Sequence, residues 1–146
     1  MDNFIYREAI MNDAADMALL NTQLGYPSTT SVLTENLEKV LSLTNNIVFV
    51  AEFNQRVIGW INIRLVSTIE TGTYCEIFGL IVDEARRNKG IGKVLIDKAK
   101  KWAKNTGVTK LRVRTNVKRQ GLTGFIFVKD LKKLKNKNRW KYYYNF

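Results

Sequence analysis

The stretch EIFGLIVDEARRNKGIGKVL, Glu76 to Leu95, decides the fold. Glu76 to Val82 is a short apolar run rich in Ile, Val and Phe, the profile of a mostly buried strand. Asp83 to Arg87 is charged and breaks that pattern. The basic glycine loop Arg87-Asn88-Lys89-Gly90-Ile91-Gly92-Lys93 then opens straight into an amphipathic segment. In it Ile91, Val94, Leu95, Ala99, Trp102 and Ala103 recur at helical spacing. Strand, glycine loop and helix together offer free backbone N–H groups and a positive dipole end to a phosphate. Gly90 and Gly92, which carry no Cβ, let the backbone come close to such a ligand.

Two common glycine motifs do not fit. A Walker A loop needs a glycine five residues before its Gly-Lys pair and Ser or Thr after it, but those positions hold Arg87 and Val94. A dinucleotide fingerprint needs a third glycine where Leu95 stands. What remains, Arg-x-x-Gly-x-Gly after a strand, resembles the acyl-CoA loop of the GNAT N-acetyltransferase superfamily. The resemblance implies a single-domain α/β (α+β) fold, a mixed twisted sheet of about six to seven strands flanked by about four helices. Acetyl-CoA, as co-substrate, would lie between two splayed parallel strands. Its pyrophosphate would sit on Arg87, Asn88, Lys89, Gly90, Ile91, Gly92 and Lys93, and its pantetheine arm along Leu80, Ile81 and Val82. Glu76, fourteen positions before Gly90, stands where the histone-acetylating members place their general base. Burial among Tyr74, Ile77 and Phe78 suits a carboxylate to take a proton from an amine. A strand glutamate facing solvent or an arginine is the structural alternative.

Composition agrees with an enzyme of this size. A chain of 146 residues is one domain with room for a real core. Its single cysteine, Cys75, excludes an internal disulfide framework and points to a reducing, cytoplasmic setting. Adjacent to Glu76 on the strand, Cys75 points to the opposite face and reads as core. The chain has no histidine, which excludes Ser-His and Cys-His triads and histidine metal sites; no metal is expected. No apolar run reaches membrane-spanning length, and the N-terminus does not begin a signal peptide. The net charge of +11 is unevenly spread. Residues 1–85 hold four Lys/Arg against eleven Asp/Glu, residues 86–114 eleven against one, and residues 115–146 nine against one. An acidic half beside a basic half suits an anionic cofactor on one side and a cationic amine on the other.

Three parts are expected within one acetyltransferase domain spanning 1–146: an acceptor-side part (1–66), an acyl-CoA core (74–119) and an atypical basic segment (120–146). Phe4 to Glu8 reads as a strand. Asn12 or Asp13 caps a helix whose apolar face is Ala15, Met17, Leu19, Leu20 and Leu24, and Gly25-Tyr26-Pro27 ends it. A second helix from about Ser31 to Leu43 buries Val32, Leu33, Leu37, Val40 and Leu41. Two such helices resemble the acceptor-side lid of the family, with Tyr26 a substrate contact if it is not packing. Ile47–Phe53 and Val57–Val66 form a hairpin about Asn54-Gln55-Arg56. Glu70, in the next loop, is a second acceptor-contact candidate beside the plainer reading of a solvated acid. After the central helix, Thr109 to Arg114 is a further strand. Thr115-Asn116-Val117-Lys118-Arg119 resembles the segment found there in small bacterial aminoglycoside-modifying acetyltransferases, which implies that Asn116 bonds the pantetheine arm.

Beyond Arg119 the pattern breaks. The family tyrosine that protonates the departing thiolate is replaced by Ile126, which cannot donate a proton. Asp130 and Leu131 replace a Gly-Phe pair. A shifted reading frame or divergence after about Gln120 would produce such a break. The segment reads as a helix through Leu122, Phe125, Ile126, Leu131 and Leu134, then a strand from Trp140 to Phe146. The expected partner is a small-molecule or peptide amine; no membrane partner is expected, and a homodimer is left open. Two rival classes stand beside acetyl transfer. One is a catalytically weak acyl-CoA-binding protein. The other is a nucleic-acid- or ribosome-associated protein, motivated by the lysines of 129–141 interleaved with Trp140 and Tyr142 to Tyr144.

Overall fold

The computed structural model describes residues 3–113 in full, and 114–116, 132–136 and 139–145 as backbone strands. The chain runs β1 (Ile5–Glu8), α1 (Ala14–Gln23), α2 (Thr30–Leu41), β2 (Asn46–Phe53), β3 (Arg56–Thr68), β4 (Gly72–Val82), α3 (Ile91–Asn105), β5 (Lys110–Asn116), β6 (Lys132–Asn136) and β7 (Arg139–Asn145). The described strands make one mixed sheet of seven, in the order β1-β2-β3-β4-β5-β7-β6. Only β4 and β5 pair in parallel, as a strand–helix–strand unit built around α3 requires.

Each face of the sheet buries one layer. Under α3 lie Ile61, Ile63, Cys75, Ile77, Leu80 and Val82, closed by Ile91, Leu95, Ile96, Ala99 and Ala103. Under α1 and α2 lie Val48, Val50, Val57 and Ile81, met by Met17, Ala18, Leu20, Leu33 and Leu37. The β2–β3 hairpin turns on Asn54 and Gln55 alone, at φ 49° and 64°. Both residues are left-handed, as a two-residue turn matching strand twist demands.

Several expectations need correction. Ala15 and Leu19 face solvent, and the sheet side of α1 is Ala14, Met17, Ala18 and Leu20. Ala14 and Ala18 let the helix approach closely, Leu20 packs beside them as expected, and Leu19 turns outward. Val32 is likewise exposed on α2. Asp13 precedes α1, but its carboxylate does not cap that helix. It accepts the Ile10 N–H at 2.8 Å and the Arg7 guanidinium at 2.8 and 2.9 Å. Leu134, expected on a helix, lies in β6 paired with β7. The rest of that expected helix, Leu122 to Leu131, and with it Phe125, Ile126 and Asp130, lies outside the described residues, as does the expected fourth helix. Strand β7 fits the expected strand from Trp140. The sequence of β6, Lys-Lys-Leu-Lys-Asn, sets three lysines on the edge strand of the described sheet. Edge lysines discourage pairing with another chain.

Arg7 ties this N-terminal layer together, reaching Glu52 on β2 at 2.8 Å as well as Asp13. The hydrogen bond to Asp13, then burial working against it, then Glu52, hold its guanidinium firmly charged, with its pKa raised. Arg7→Ala leaves the buried Asp13 carboxylate without its cation. The expected loss is about 2–3 kcal/mol of stability, read as a lower urea midpoint with an unchanged slope.

Candidate active site

Strand β4 belongs to the sheet along its whole length on one side only. On the β3 side the register runs from Gly72↔Thr68 to Val82↔Gly59. On the β5 side it covers Cys75↔Leu111, Glu76↔Arg112 and Ile77↔Val113, and stops. From Phe78 to Val82 the second edge of β4 pairs with no strand among the described residues, while β5 continues to Asn116 along β7. The two parallel strands therefore part after Ile77, opening a wedge with bare backbone on its β4 side.

A bulge sits at the point of parting. The register skips Phe78, with Ile77 facing Ile63 and Gly79 facing Asn62. Ile77 and Leu80 both enter the layer under α3, so Phe78 and Gly79 both turn to the α1/α2 face. A Cβ on Gly79 would stand 2.6 and 2.7 Å from Cη2 and Cζ3 of Trp60. The indole thus lies flush on glycine backbone beside the bulge. Gly79→Ala is expected to push the indole away and lower stability by about 1–3 kcal/mol, with shifted tryptophan emission in the folded state.

The bare edge leads to the glycine loop. Leu80, Ile81 and Val82 point their side chains into core, at 8%, 4% and 4% exposure, so only their backbone can meet a ligand. Asp83 turns the chain and caps the Ala85 N–H at 3.2 Å. Arg87, Asn88, Lys89 and Gly90 are all exposed. Asn88 and Gly90 are left-handed, at φ 65° and 79°, and Gly90 is the N-cap of α3 without a side-chain cap. The first amides of α3, those of Ile91, Gly92 and Lys93, are therefore the helix's open donors. Ile91 offers only its amide, since its side chain is 1% exposed in the core. Lys93 is exposed on the first turn. A diphosphate suits this end: charge-bearing oxygens meet unspent N–H groups and the positive dipole end.

Glu76 lies one residue before the wedge opens and is 3% exposed. Its register neighbours are Arg64 on β3 and Arg112 on β5, so the arginine environment weighed from the sequence is present. Cys75, its chain neighbour, is fully buried on the other face. Burial pushes the Cys75 thiol up, only partly offset by the Thr106 hydroxyl at 3.7 Å, so it is a packing group and no nucleophile. Asn116 ends β5 on the far side of the wedge. Tyr26 lies in the turn between α1 and α2, half exposed, its N–H bonded to the Asn21 carbonyl at 3.0 Å. Glu70 sits in the exposed β3–β4 turn, six residues before Glu76 at the end of β4 remote from the wedge, and is not brought to Glu76. The residues the sequence reading missed are Arg64 and Arg112, which register brings beside Glu76 and the expected Tyr74 and Phe78.

An open cavity of about 210 Å³ lies on the α1 side, between Asp16, Gln23, Arg56 and Asp83. Its polar groups are already engaged: Asp16 with Arg56 at 3.0 Å and the Val57 N–H at 2.9 Å, Gln23 with Asp83 at 3.3 Å. Among the described residues no His/Cys/Asp/Glu group could hold a metal ion, and no helix is long and apolar enough to cross a membrane.

The fold is shared with solved acetyltransferases. A coenzyme A complex of the PaiA N-acetyltransferase from Thermoplasma acidophilum matches with TM-score 0.77 at 13% identity, over 99% of each chain. An acetyltransferase from Salmonella typhimurium, solved with acetyl-CoA, matches with TM-score 0.74 at 15% identity, over 98% of this chain and 92% of that one. An aminoglycoside 6′-N-acetyltransferase from Acinetobacter baumannii matches with TM-score 0.74 at 15% identity, over 92% and 97%. No curated protein matches the sequence significantly. At these identities the structural likeness speaks for the fold alone. Residues 13–126, from the start of α1 through the wedge and beyond β5, match the acetyltransferase (GNAT) family, and the chain belongs to that family.

Proposed function

We propose that this protein transfers the acetyl group of acetyl-CoA to a primary amine, by direct attack within a ternary complex. The observation that carries the reading is the parting of β4 from β5 after Ile77, which leaves bare strand backbone leading to the open N-terminus of α3. An extended amide-bearing arm pairs with a strand edge as another strand would, and a diphosphate fits the helix end. Solved relatives hold coenzyme A or acetyl-CoA, which supports the same ligand here.

In this reading the amides of residues 87–93 receive the pyrophosphate, and the backbone of Leu80 to Val82 receives the pantetheine arm, with Asn116 bonding it from β5. An N–H near Leu80 or Ile81 donates to the thioester carbonyl oxygen, a contribution of about 10²–10³ in rate for a well-placed donor. Glu76, directly or through one water, takes the ammonium proton and frees the lone pair, worth about 10²–10⁴. The C–N bond forms and the C–S bond breaks; the nitrogen gives its second proton to water as the amide forms, and the thiolate takes a proton from water, since Ile126 stands in the tyrosine position. Tyr26, from the α1–α2 lid, is proposed as an acceptor contact; Glu70, at the remote end of β4, could reach only the far end of a long acceptor.

The test is thiol release from acetyl-CoA across a panel of amines. Amine-dependent release with a mass gain of one acetyl group on the acceptor is expected. Ile126 favours a second reading, a protein that binds acyl-CoA without turning it over. Coenzyme A binding with no release from any amine would establish that instead.

A further inference from the structure

We propose that the acceptor amine carries an anionic group, a carboxylate or a phosphate, which Arg64 and Arg112 receive beside Glu76. This rests on the acetyl-transfer reading and names its acceptor class.

Register places the three side chains together. Arg64 faces Glu76 across the antiparallel β3–β4 ladder, and Arg112 faces it across the parallel β4–β5 ladder. Directly paired residues share a face, and here the opposite face is Cys75 and Ile77 in the layer under α3. Both guanidiniums are half-buried and held in place. The Arg64 guanidinium carbon lies 4.3 Å from the Phe78 ring centre, and its Nε donates to Asn46 Oδ1 at 3.1 Å. Asn46 is itself fixed: Oδ1 accepts from Asn62 at 2.7 Å, and Nδ2 donates to the Val40 carbonyl near the end of α2 at 2.8 Å. Arg112 lies 4.2 Å over the Tyr74 ring, and its Nη1 donates to the Tyr74 hydroxyl at 3.2 Å.

The partners that hold the two arginines are neutral. Among the described residues neither Arg64 nor Arg112 makes an ion pair. Arg7 is the contrast within the same sheet, its guanidinium on two carboxylates at 2.8 Å each. At Glu76 two cations flank one carboxylate in register, so among the described residues this part of the sheet face carries an excess of positive charge. A guanidinium fork oriented by stacking, with N–H groups to spare, matches a carboxylate or phosphate oxygen pair. The acidic N-terminal half suggested a side suited to a cationic amine. Three of its eleven acids are engaged elsewhere, Asp13 and Glu52 on Arg7 and Asp16 on Arg56.

Initial rates of thiol release, measured on the wild-type protein with matched acceptors, test this. The pairs are β-alanine with its amide and phosphoethanolamine with ethanolamine, and spermidine and kanamycin serve as cationic acceptors. In at least one pair the anionic member is expected to exceed its neutral partner in kcat/KM by about tenfold or more. Which pair responds tells carboxylate from phosphate. Arg64→Gln and Arg112→Gln are expected to erase that preference by raising the acceptor KM, with coenzyme A affinity unchanged. Release from neutral or cationic amines in preference to the anionic ones overturns the inference and leaves acetyl transfer standing. Release from no amine at all overturns both.

Discussion

Glu76→Gln is expected to lower turnover by about 10²–10³-fold near neutral pH, and by less as the pH rises toward the pKa of the acceptor amine. Below that pKa the acceptor arrives as ammonium and must lose a proton before it can attack. Above it the free amine is abundant, and a base adds less. The substitution is close to isosteric, so the 3% exposed site keeps its shape and loses only its charge. Coenzyme A affinity is therefore expected to stay level, because the amides of the glycine loop and the edge of β4 are untouched. A second role for Glu76 is visible in the structure, since it lies in register with Arg64 and Arg112. If its task were to order those arginines, the loss would appear in the acceptor KM while kcat held. Steady-state rates from pH 6 to 10, with kcat and KM resolved, separate the two. A flat ratio of wild-type to variant kcat across that range would reject Glu76 as the base.

How much of this was legible in the sequence follows from what each signal measures. The stretch from Glu76 to Leu95 was legible because strand, turn and helix differ in period, and each boundary carries its own residues. Strand β4 ends and helix α3 begins where the pattern put them, although β4 starts earlier, at Gly72, and Ile96, missed from the helix face, is buried like Ile91. The face of α1 was read in part: Met17 and Leu20 are buried as expected, but hydrophobicity drew in Leu19, whereas close contact with the sheet favoured Ala14 and Ala18. Leu134 was misread because apolar residues spaced along a lysine-rich segment fit two periods, and pairing with the Trp-Tyr-rich β7 outweighs local preference. Arg64 and Arg112 could not be found as a pair. Their meeting at Glu76 depends on register across two ladders, one of them interrupted by the bulge at Phe78. A single residue's slip would send every side chain to the other face, and nothing in the local sequence announces the skip.

Gly90→Val is expected to weaken coenzyme A binding by at least about tenfold, a difference near 1.4 kcal/mol. Gly90 sits at φ +79°, where a side chain costs about 1–2 kcal/mol per residue and a β-branched one is least tolerated. A Cβ there meets nothing within 4 Å in the protein, so the substitution damages no packing. What it changes is the path of the backbone into α3, and with it the aim of the Ile91, Gly92 and Lys93 amides, together with the space above them. Lost stability alone could mimic lost binding, and the opposite end of the same helix supplies the control. Gly107, just past the C-cap of α3, has φ +88° and equally open surroundings. Gly107→Val therefore carries a similar backbone cost, about 24 Å away along a 15-residue helix. Both variants are expected to unfold at lower urea, and only Gly90→Val is expected to lose coenzyme A affinity in equilibrium titration. Equal affinity in both variants would mean that the diphosphate is not held at the start of α3, and the wedge between β4 and β5 would then need another ligand.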